Sequence, residues 1–328
     1  MKSEYRNPRK RCIVVNSCDQ DTPIMVDALQ AANIEIVEVW ISETQFPKNG
    51  FRQPPFLIRP SAARRAVYDL LRDGHHIRVI KKPWLKSLAQ ALARAPLFDF
   101  LLCANSNIIF PKQFIDALPG PALNLHPALL PDYRGALPIH AMVLNNEANK
   151  FGGMTLHLIE PKIDEGAIIA KHPVPRSDFN SSASWVAAVR DAARPLIVDV
   201  LPAFLDGQIK PQPQPAGAGS YFSVKDVPLY AAPSQTYAYI ERYMTRFPQV
   251  QKWQRLQLQH RGRHVFHTVA TPIEHLGASI GKGPDIRRGT VEFDCVDARV
   301  RVRRISSLEK HWMKLTRQRP KLVLTPKP

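Results

Sequence analysis

The 328-residue sequence predicts an α/β chain: an open, mostly parallel sheet with flanking helices, followed by a small C-terminal β-rich domain. Three observations predict this. Strand-like and helix-like periodicities alternate through the first 208 residues. A Pro/Gly-rich stretch, IKPQPQPAGAGS (209–220), then interrupts them, and beyond it come short alternating strands that carry most of the excess positive charge. The expected division is therefore a domain over 1–208, a linker over 209–223 and a basic β-rich domain over 224–328.

The elements follow in order. CIVVNSC (12–18) reads as a short buried strand, and the polar turn DQDTP follows it. Ile24, Ala28, Leu29 and Ala32 then mark one helical face, and IEIVEVWI (34–41) reads as a second strand. Strand, helix and strand at this spacing form a βαβ unit. Residues 43–60 make a loop with five prolines or glycines and the cations Lys48, Arg52 and Arg59. AARRAVYDLLRDG is a helix that ends at Gly74, a residue able to take the left-handed C-cap conformation. HIRVI and FDFLLCA supply two more strands, with the helix KSLAQALARA between them. ALNLH and GMTLHLI are further strands; HAMVLNNE and SASWVAAVRDAARPLIVDVLPAFLDG are helices. In the last domain a helix lies around SQTYAYIERYMTRF. RGTVEFDCVDARVRVRR reads as a hairpin in which Val300 and Val302 alternate with Arg299, Arg301 and Arg303.

Composition narrows the function classes. With 45% hydrophobic and 22% charged residues the chain is not disordered, and no apolar run approaches the roughly 20 residues of a membrane span. The polar, basic start MKSEYRNPRKRC lacks an apolar signal core, so a soluble cytoplasmic protein is expected. Cys12, Cys18, Cys103 and Cys295 contain no CxxC pair, which argues for reduced buried thiols and against a zinc site. His75-His76 and His264/His267 lack partners at metal-ligand spacing. No Gly-rich phosphate loop suggests NAD or ATP. Trp84, Trp185, Trp253 and Trp312 read as packing anchors. The last 105 residues hold 20 of the 45 Lys and Arg but 8 of the 28 Asp and Glu, a formal +12 against +5 for the rest. Such asymmetry fits either a polyanionic partner or a solvated basic surface.

The densest polar cluster within apolar sequence is NLHPALLPDYRG (124–135). Asn124 and His126 are two apart on a strand, so they leave on one face, and Pro127 ends the ladder just beyond them. An amide and an imidazole thus sit at a strand's carboxyl end, where ligands bind in open α/β sheets. There an imidazole can exchange protons and an amide can donate to a developing oxyanion; a structural hydrogen-bonded pair is the commoner meaning of these two residue types. EPKIDEG (160–166) follows the strand GMTLHLI, so Asp164 falls either at the mouth of a strand near His126 or in an ordinary solvated turn.

NLHPALLPDYRG, with Asp-x-Gly beginning 38 residues after its His, resembles the folate-dependent formyltransferase family over about residues 10–208. The resemblance implies a Rossmann-like catalytic domain, 10-formyl-tetrahydrofolate as co-substrate, and Asn124, His126 and Asp164 as the catalytic trio. It implies a folate pocket lined by Asn107, Ile108 and Ile109 of NSNII and by the stretch from Glu160 through Lys162 to Asp164. It also implies a loop beside the acceptor containing Leu129, Leu130, Pro131 and Arg134. Two departures stand out: Glu165 occupies a position that is usually small, and NSNIIFP is polar where relatives often have Gly or an aromatic. YRGALP is closer to the tRNA and sugar branches than to the purine-synthesis branch. The loop 43–60 and the basic C-terminal module favour a methionyl-tRNA acceptor, with Arg299, Arg301 and Arg303 either tracking phosphates or forming the solvent face of a strand. A sugar-nucleotide amine is the alternative acceptor. A nucleic-acid-binding protein on an idle scaffold is the alternative of another class.

Overall fold

The computed structural model describes residues 9–17, 21–45, 62–227, 230–246, 254–260 and 263–309. Most of the loop 43–60, including Lys48, Arg52 and Arg59, lies outside them, as do Cys18, Trp253, Trp312 and the tail from 310. The chain forms two compact units. The first comprises the residues up to Pro138, Asn149–Pro175 and Ala187–Tyr221; the second comprises Ile139–Ala148, Arg176–Val186 and the residues from Phe222 onward.

The first unit is built on a seven-stranded sheet. β1 (Arg11–Asn16) is a nearly unbroken apolar run, and Cys12 to Val15 are fully buried, as a central parallel strand requires. α1 (Thr22–Ala31) begins with a proline in its first turn, where the missing N–H removes no helical bond. β2 (Glu35–Ser42), α2 (Ala62–Arg72) and β3 (Ile77–Ile80) follow; the chain leaves α2 through Gly74 at φ +83°, as its C-cap position required. α3 (Trp84–Leu92), β4 (Phe100–Ala104), the single turn α4 (Lys112–Ile115) and β5 (Ala122–His126) complete the parallel part. Its strand order is β3-β2-β1-β4-β5, all parallel.

The short strand β6 (Arg134–Gly135) and the helices α5 (Pro138–Asn145) and α6 (Ala148–Phe151) come next. β7 (Gly153–Leu158) then pairs antiparallel with β5, and β8 (Ile168–Pro173) pairs antiparallel with β7 at the sheet's edge. One face of the sheet packs a core in which Ile13, Trp40, Leu101, Phe110 and Phe114 meet Leu88 and Ala91 of α3. Each such fully buried large side chain contributes about 1.5–3 kcal/mol of transfer free energy.

The long helix expected at the end of this region is segmented. α7 (Ser182–Asp191) and α8 (Ala193–Pro195) lead into a π-helical stretch, Leu196–Val200, before α9 (Leu201–Leu205). Pro195 and Pro202 bracket the stretch, and each lacks the N–H that a regular ladder would use there. Gly207 then closes the helix at φ +75°. The Pro/Gly-rich segment beyond it is tied to the first unit. Gln212 bridges Ile168 in both directions, and Ser220 accepts from the Arg134 N–H and, through Oγ, from the Tyr133 N–H.

In the second unit, after β9 (Tyr221–Phe222), come α10 (Tyr237–Arg246) and five antiparallel strands. These are β10 (Gln254–His260), β11 (Arg263–His275), β12 (Asp285–Ile286), β13 (Thr290–Asp294) and β14 (Arg299–Arg304), in the order β10-β11-β14-β13-β12. Val300 and Val302 are buried with Val291 and Phe293, so the alternation seen in sequence sets the inward face. The arginines between them face carboxylates. Arg299 reaches Asp294 at 2.8 Å, Arg301 lies 2.8 Å from both Glu292 and Glu274, and Arg303 pairs with Glu309 at 2.6 Å. Arg299 is itself buried. Among the described residues no helix is long and apolar enough to cross a membrane.

His76 lies exposed at the surface, where it has a carboxylate partner. Glu38, buried in β2, accepts from the Trp40 indole and the Arg78 guanidinium, with His76 Nδ1 2.5 Å away. Burial alone would raise the Glu38 carboxyl; Arg78, Trp40 and His76 together hold it below the usual carboxylate range. Trp185 is fully buried and Trp84 packs partly against the core, as anchors do.

Candidate active site

β5 and β7 bring the polar cluster together. Their register sets Asn124 opposite His157 and His126 opposite Thr155, so four polar side chains emerge on one face of two adjacent strands. The turn after β7 then returns Asp164 to that face, and its carboxylate is the hub of the site. Oδ1 lies 3.4 Å from Asn124 Nδ2 and 3.6 Å from His157 Nε2. Oδ2 lies 3.4 Å from His126 Nδ1 and accepts the Gly135 N–H at 2.8 Å. Asp164 sits at φ +56°, a left-handed conformation uncommon for a side chain other than glycine. Gly166 is needed beside it, because a Cβ there would lie 1.9 Å from the Leu158 carbonyl oxygen.

His157 fixes the protons around Asn124. Its Nδ1 faces the Leu158 carbonyl at 2.8 Å and so carries the hydrogen, which leaves Nε2 as an acceptor for the Asn124 amide at 3.0 Å. Burial pushes the His157 imidazole down to about 4, so it is neutral near pH 7 and this pattern persists. The second Asn124 N–H makes only the longer 3.4 Å contact to Asp164 and is the one that a ligand oxygen could accept. His126 is buried and donates Nε2–H to the Tyr133 carbonyl at 2.8 Å, which turns Nδ1 toward Asp164. Cys103, the β4 neighbour of Asn124, is held at about 12, first by burial and then by the Asp164 charge, so its thiol is inert.

The loop after β5 is braced by Thr155. Its hydroxyl donates to the Ala128 carbonyl and accepts the Leu130 N–H. Leu130 is fully buried, the Leu130–Pro131 bond is cis, and Leu129 packs against Gly153. Arg134 reaches Glu165 at 2.6 Å and the Ala218 carbonyl at 3.1 Å, so the charge added by Glu165 meets a cation.

The other residues of the expected folate pocket are more scattered. Asn107 bonds Thr44 through its amide, Ile108 is buried in the core and Ile109 is half exposed. Glu160 and Lys162 face outward from their turn, with Lys162 3.5 Å from Glu165. Sequence reasoning missed His157, Thr155 and Gln214. The alternation of Thr155 and His157 along β7 carried a usable signal; Gln214 carried none. Among the described residues no group of three His, Cys, Asp or Glu is arranged to hold a metal ion.

Comparison with known proteins adds to this geometry. Residues 83–201 match the formyl transferase family. The resemblance carried by NLHPALLPDYRG holds over that stretch. The methionyl-tRNA formyltransferase of Heliobacterium modesticaldum (strain ATCC 51547 / Ice1) is 34% identical over 211 residues, which is 64% of this chain and 63% of that protein. The methionyl-tRNA formyltransferase of Levilactobacillus brevis is 30% identical over 144 residues, 43% of this chain and 45% of that protein. The matched stretches thus span about half of these relatives' length. The N-formyltransferase of Helicobacter canadensis, solved with folinic acid and dTDP-3-aminofucose, superposes with a TM-score of 0.52 at 16% identity, over 90% of this chain and 99% of that one. The mostly parallel sheet, continued by two antiparallel strands, is the formyltransferase fold.

Proposed function

We propose that this chain transfers a formyl group from 10-formyl-tetrahydrofolate to a primary amine, with methionyl-tRNA as the acceptor. The observation that carries the reading is the convergence of an amide, an imidazole and a carboxylate within 3.4 Å contacts at the carboxyl end of β5. This donor set fits a formyl carbonyl. The Asn124 N–H that His157 does not hold donates to an oxygen that gains negative charge as an amine attacks. His126 Nδ1 takes the proton from the attacking amine and returns it to the leaving nitrogen, while its Nε2 stays anchored on the Tyr133 carbonyl. Asp164 orients that ring and stabilises it when charged, and the Gly135 N–H keeps the carboxylate in place. Burial of His126 and His157 excludes bulk water and strengthens each of these interactions.

The curated relatives named as methionyl-tRNA formyltransferases support the tRNA acceptor. One observation favours the second reading, a sugar-nucleotide amine. Arg299, Arg301 and Arg303 are neutralised by their own carboxylate neighbours, which leaves less free charge for an RNA backbone. The deciding experiment follows labelled formyl transfer by the recombinant chain to charged initiator tRNA and to an amino-sugar nucleotide pool. Product on tRNA is expected, and product on the sugar alone overturns the tRNA assignment. Tight, salt-sensitive RNA binding without folate binding or turnover would overturn the enzyme reading altogether.

A further inference from the structure

Gln214 belongs to the Pro/Gly-rich segment and lies 50 residues beyond Asp164 in the chain. Its side-chain amide donates to two carbonyls at once, that of Asp164 and that of Gly166, both at 2.8 Å. One NH2 group therefore spans the turn that carries the carboxylate, gripping the backbone on either side of Glu165. Asp164 needs such a grip. A residue other than glycine at φ +56° persists only where its surroundings over-determine it. Gln214 Oε1 is buried and has no hydrogen-bond partner among the described residues, so the donor end alone fixes the rotamer. An unmatched buried acceptor is unusual enough to call for a reason, and here the geometry of the donor end supplies it.

The same segment grips the other side of the site. The Ala218 carbonyl receives the Arg134 guanidinium, and Ser220 receives the N–H groups of Tyr133 and Arg134. Gly219, at φ +76°, approaches so closely that a Cβ would lie 2.0 Å from the Pro131 carbonyl oxygen. The Gly135 N–H, which holds Asp164 Oδ2, follows directly on this anchored stretch.

From these contacts we infer that Gln214 is a positioning residue for the reaction: it locks the Asp164 turn so that the carboxylate faces Asn124 and His126. This rests on the proposed formyl transfer. Gln214 touches no reacting atom; it acts through the backbone of Asp164. Displacement of a reacting group by an ångström can lower turnover about 100-fold.

The test compares wild type with Gln214→Met, which keeps the volume and loses both donors, and Gln214→Glu, which keeps the shape. Gln214→Met is expected to lower kcat about 10- to 100-fold and to leave KM for the formyl donor within about twofold, in a chain that still folds cooperatively with a thermal transition lowered by a few degrees. Gln214→Glu cannot donate when ionised and donates one bond when protonated, so its activity relative to wild type rises as pH falls from 8 toward 5. A space-filling role would leave both variants fully active. Should Gln214→Met fail to fold, Gln214→Asn, whose shorter arm reaches one carbonyl at most, takes its place. A crystal structure of the variant gives a readout without turnover: Asp164 leaves its left-handed conformation and its distance to His126 Nδ1 grows. Wild-type kcat in both variants, raised KM alone, or an unmoved Asp164 overturns the inference. An inactive wild type with an intact clamp overturns the functional reading instead.

Discussion

Replacing Asn124 by alanine separates the chemistry of the site from its stability, and both magnitudes follow from the contacts. In the folded protein the amide gives one hydrogen to His157 Nε2 at 3.0 Å and holds the other 3.4 Å from Asp164. Removing it leaves a buried imidazole acceptor without its donor, which costs about 1–3 kcal/mol of folding stability. The same substitution removes the only contribution assigned to carbonyl polarisation. Loss of one such donor typically lowers turnover by about 10²–10³, or about 2.7–4 kcal/mol of transition-state stabilisation. Urea unfolding at pH 7 measures the first quantity, and single-turnover transfer of labelled formyl measures the second, free of product release. A folded variant whose single-turnover rate stays within about threefold of wild type refutes the role given to Asn124. A rate loss matched by a raised KM with unchanged kcat would show that Asn124 holds substrate rather than stabilises charge.

Other outcomes are equally specific. Burial depresses the His157 imidazole to about 4, well below the ordinary histidine value of about 6.5, so the unfolded chain binds a proton that the folded chain refuses across that window. Stability is therefore fully present above about pH 6.5 and falls as pH drops toward 4, at up to roughly 1.4 kcal/mol per pH unit, and His157→Gln should flatten the slope in urea melts taken from pH 7 to 4.5. His126→Ala should lower kcat about 10²–10⁴-fold while the circular dichroism spectrum stays unchanged. Gly219→Ala forces a Cβ toward the Pro131 carbonyl at a positive φ and should lower stability by about 1–3 kcal/mol, read as a lower urea midpoint at constant m-value. Replacing Glu274 and Glu292 together by glutamine frees Arg301. If the second unit meets RNA there, the slope of log affinity against log salt should steepen by about one unit.

Much of the fold was legible because its signals are local. The apolar run of β1, the change of period between α1 and β2, and the Val300/Val302 alternation each report burial on a single element. Asn124 and His126 were legible for the same reason, since two residues on one strand and a proline after them define a face and an end. Long-range pairing was less legible. His157 meets Asn124 because β7 runs antiparallel to β5, and periodicity says nothing about register between strands. Arg299, Arg301 and Arg303 looked like open charge, although Glu292 and Asp294 alternate in phase with them on the neighbouring strand of the same hairpin. The break after α8 follows from two prolines that a helical pattern alone passes over. Gln214 was invisible because proline- and glycine-rich composition signals a connector, whereas this one is bonded into the sheet's carboxyl edge.

The bond from Gln214 to the turn at Asp164 has a consequence for the order in which the protein matures. A nascent chain emerging from a ribosome can pair all seven strands of the first sheet as soon as residue 173 is free, yet with Gln214 as the lock the carboxylate acquires its final aim only when the stretch up to 220 has emerged. The formyl transferase family match, residues 83–201, stops short of that point. A truncated product ending there would hold the seven-stranded sheet without the Gln214 grip on the Asp164 turn, so on the proposed reading competence arrives late in synthesis, after that sheet is already paired.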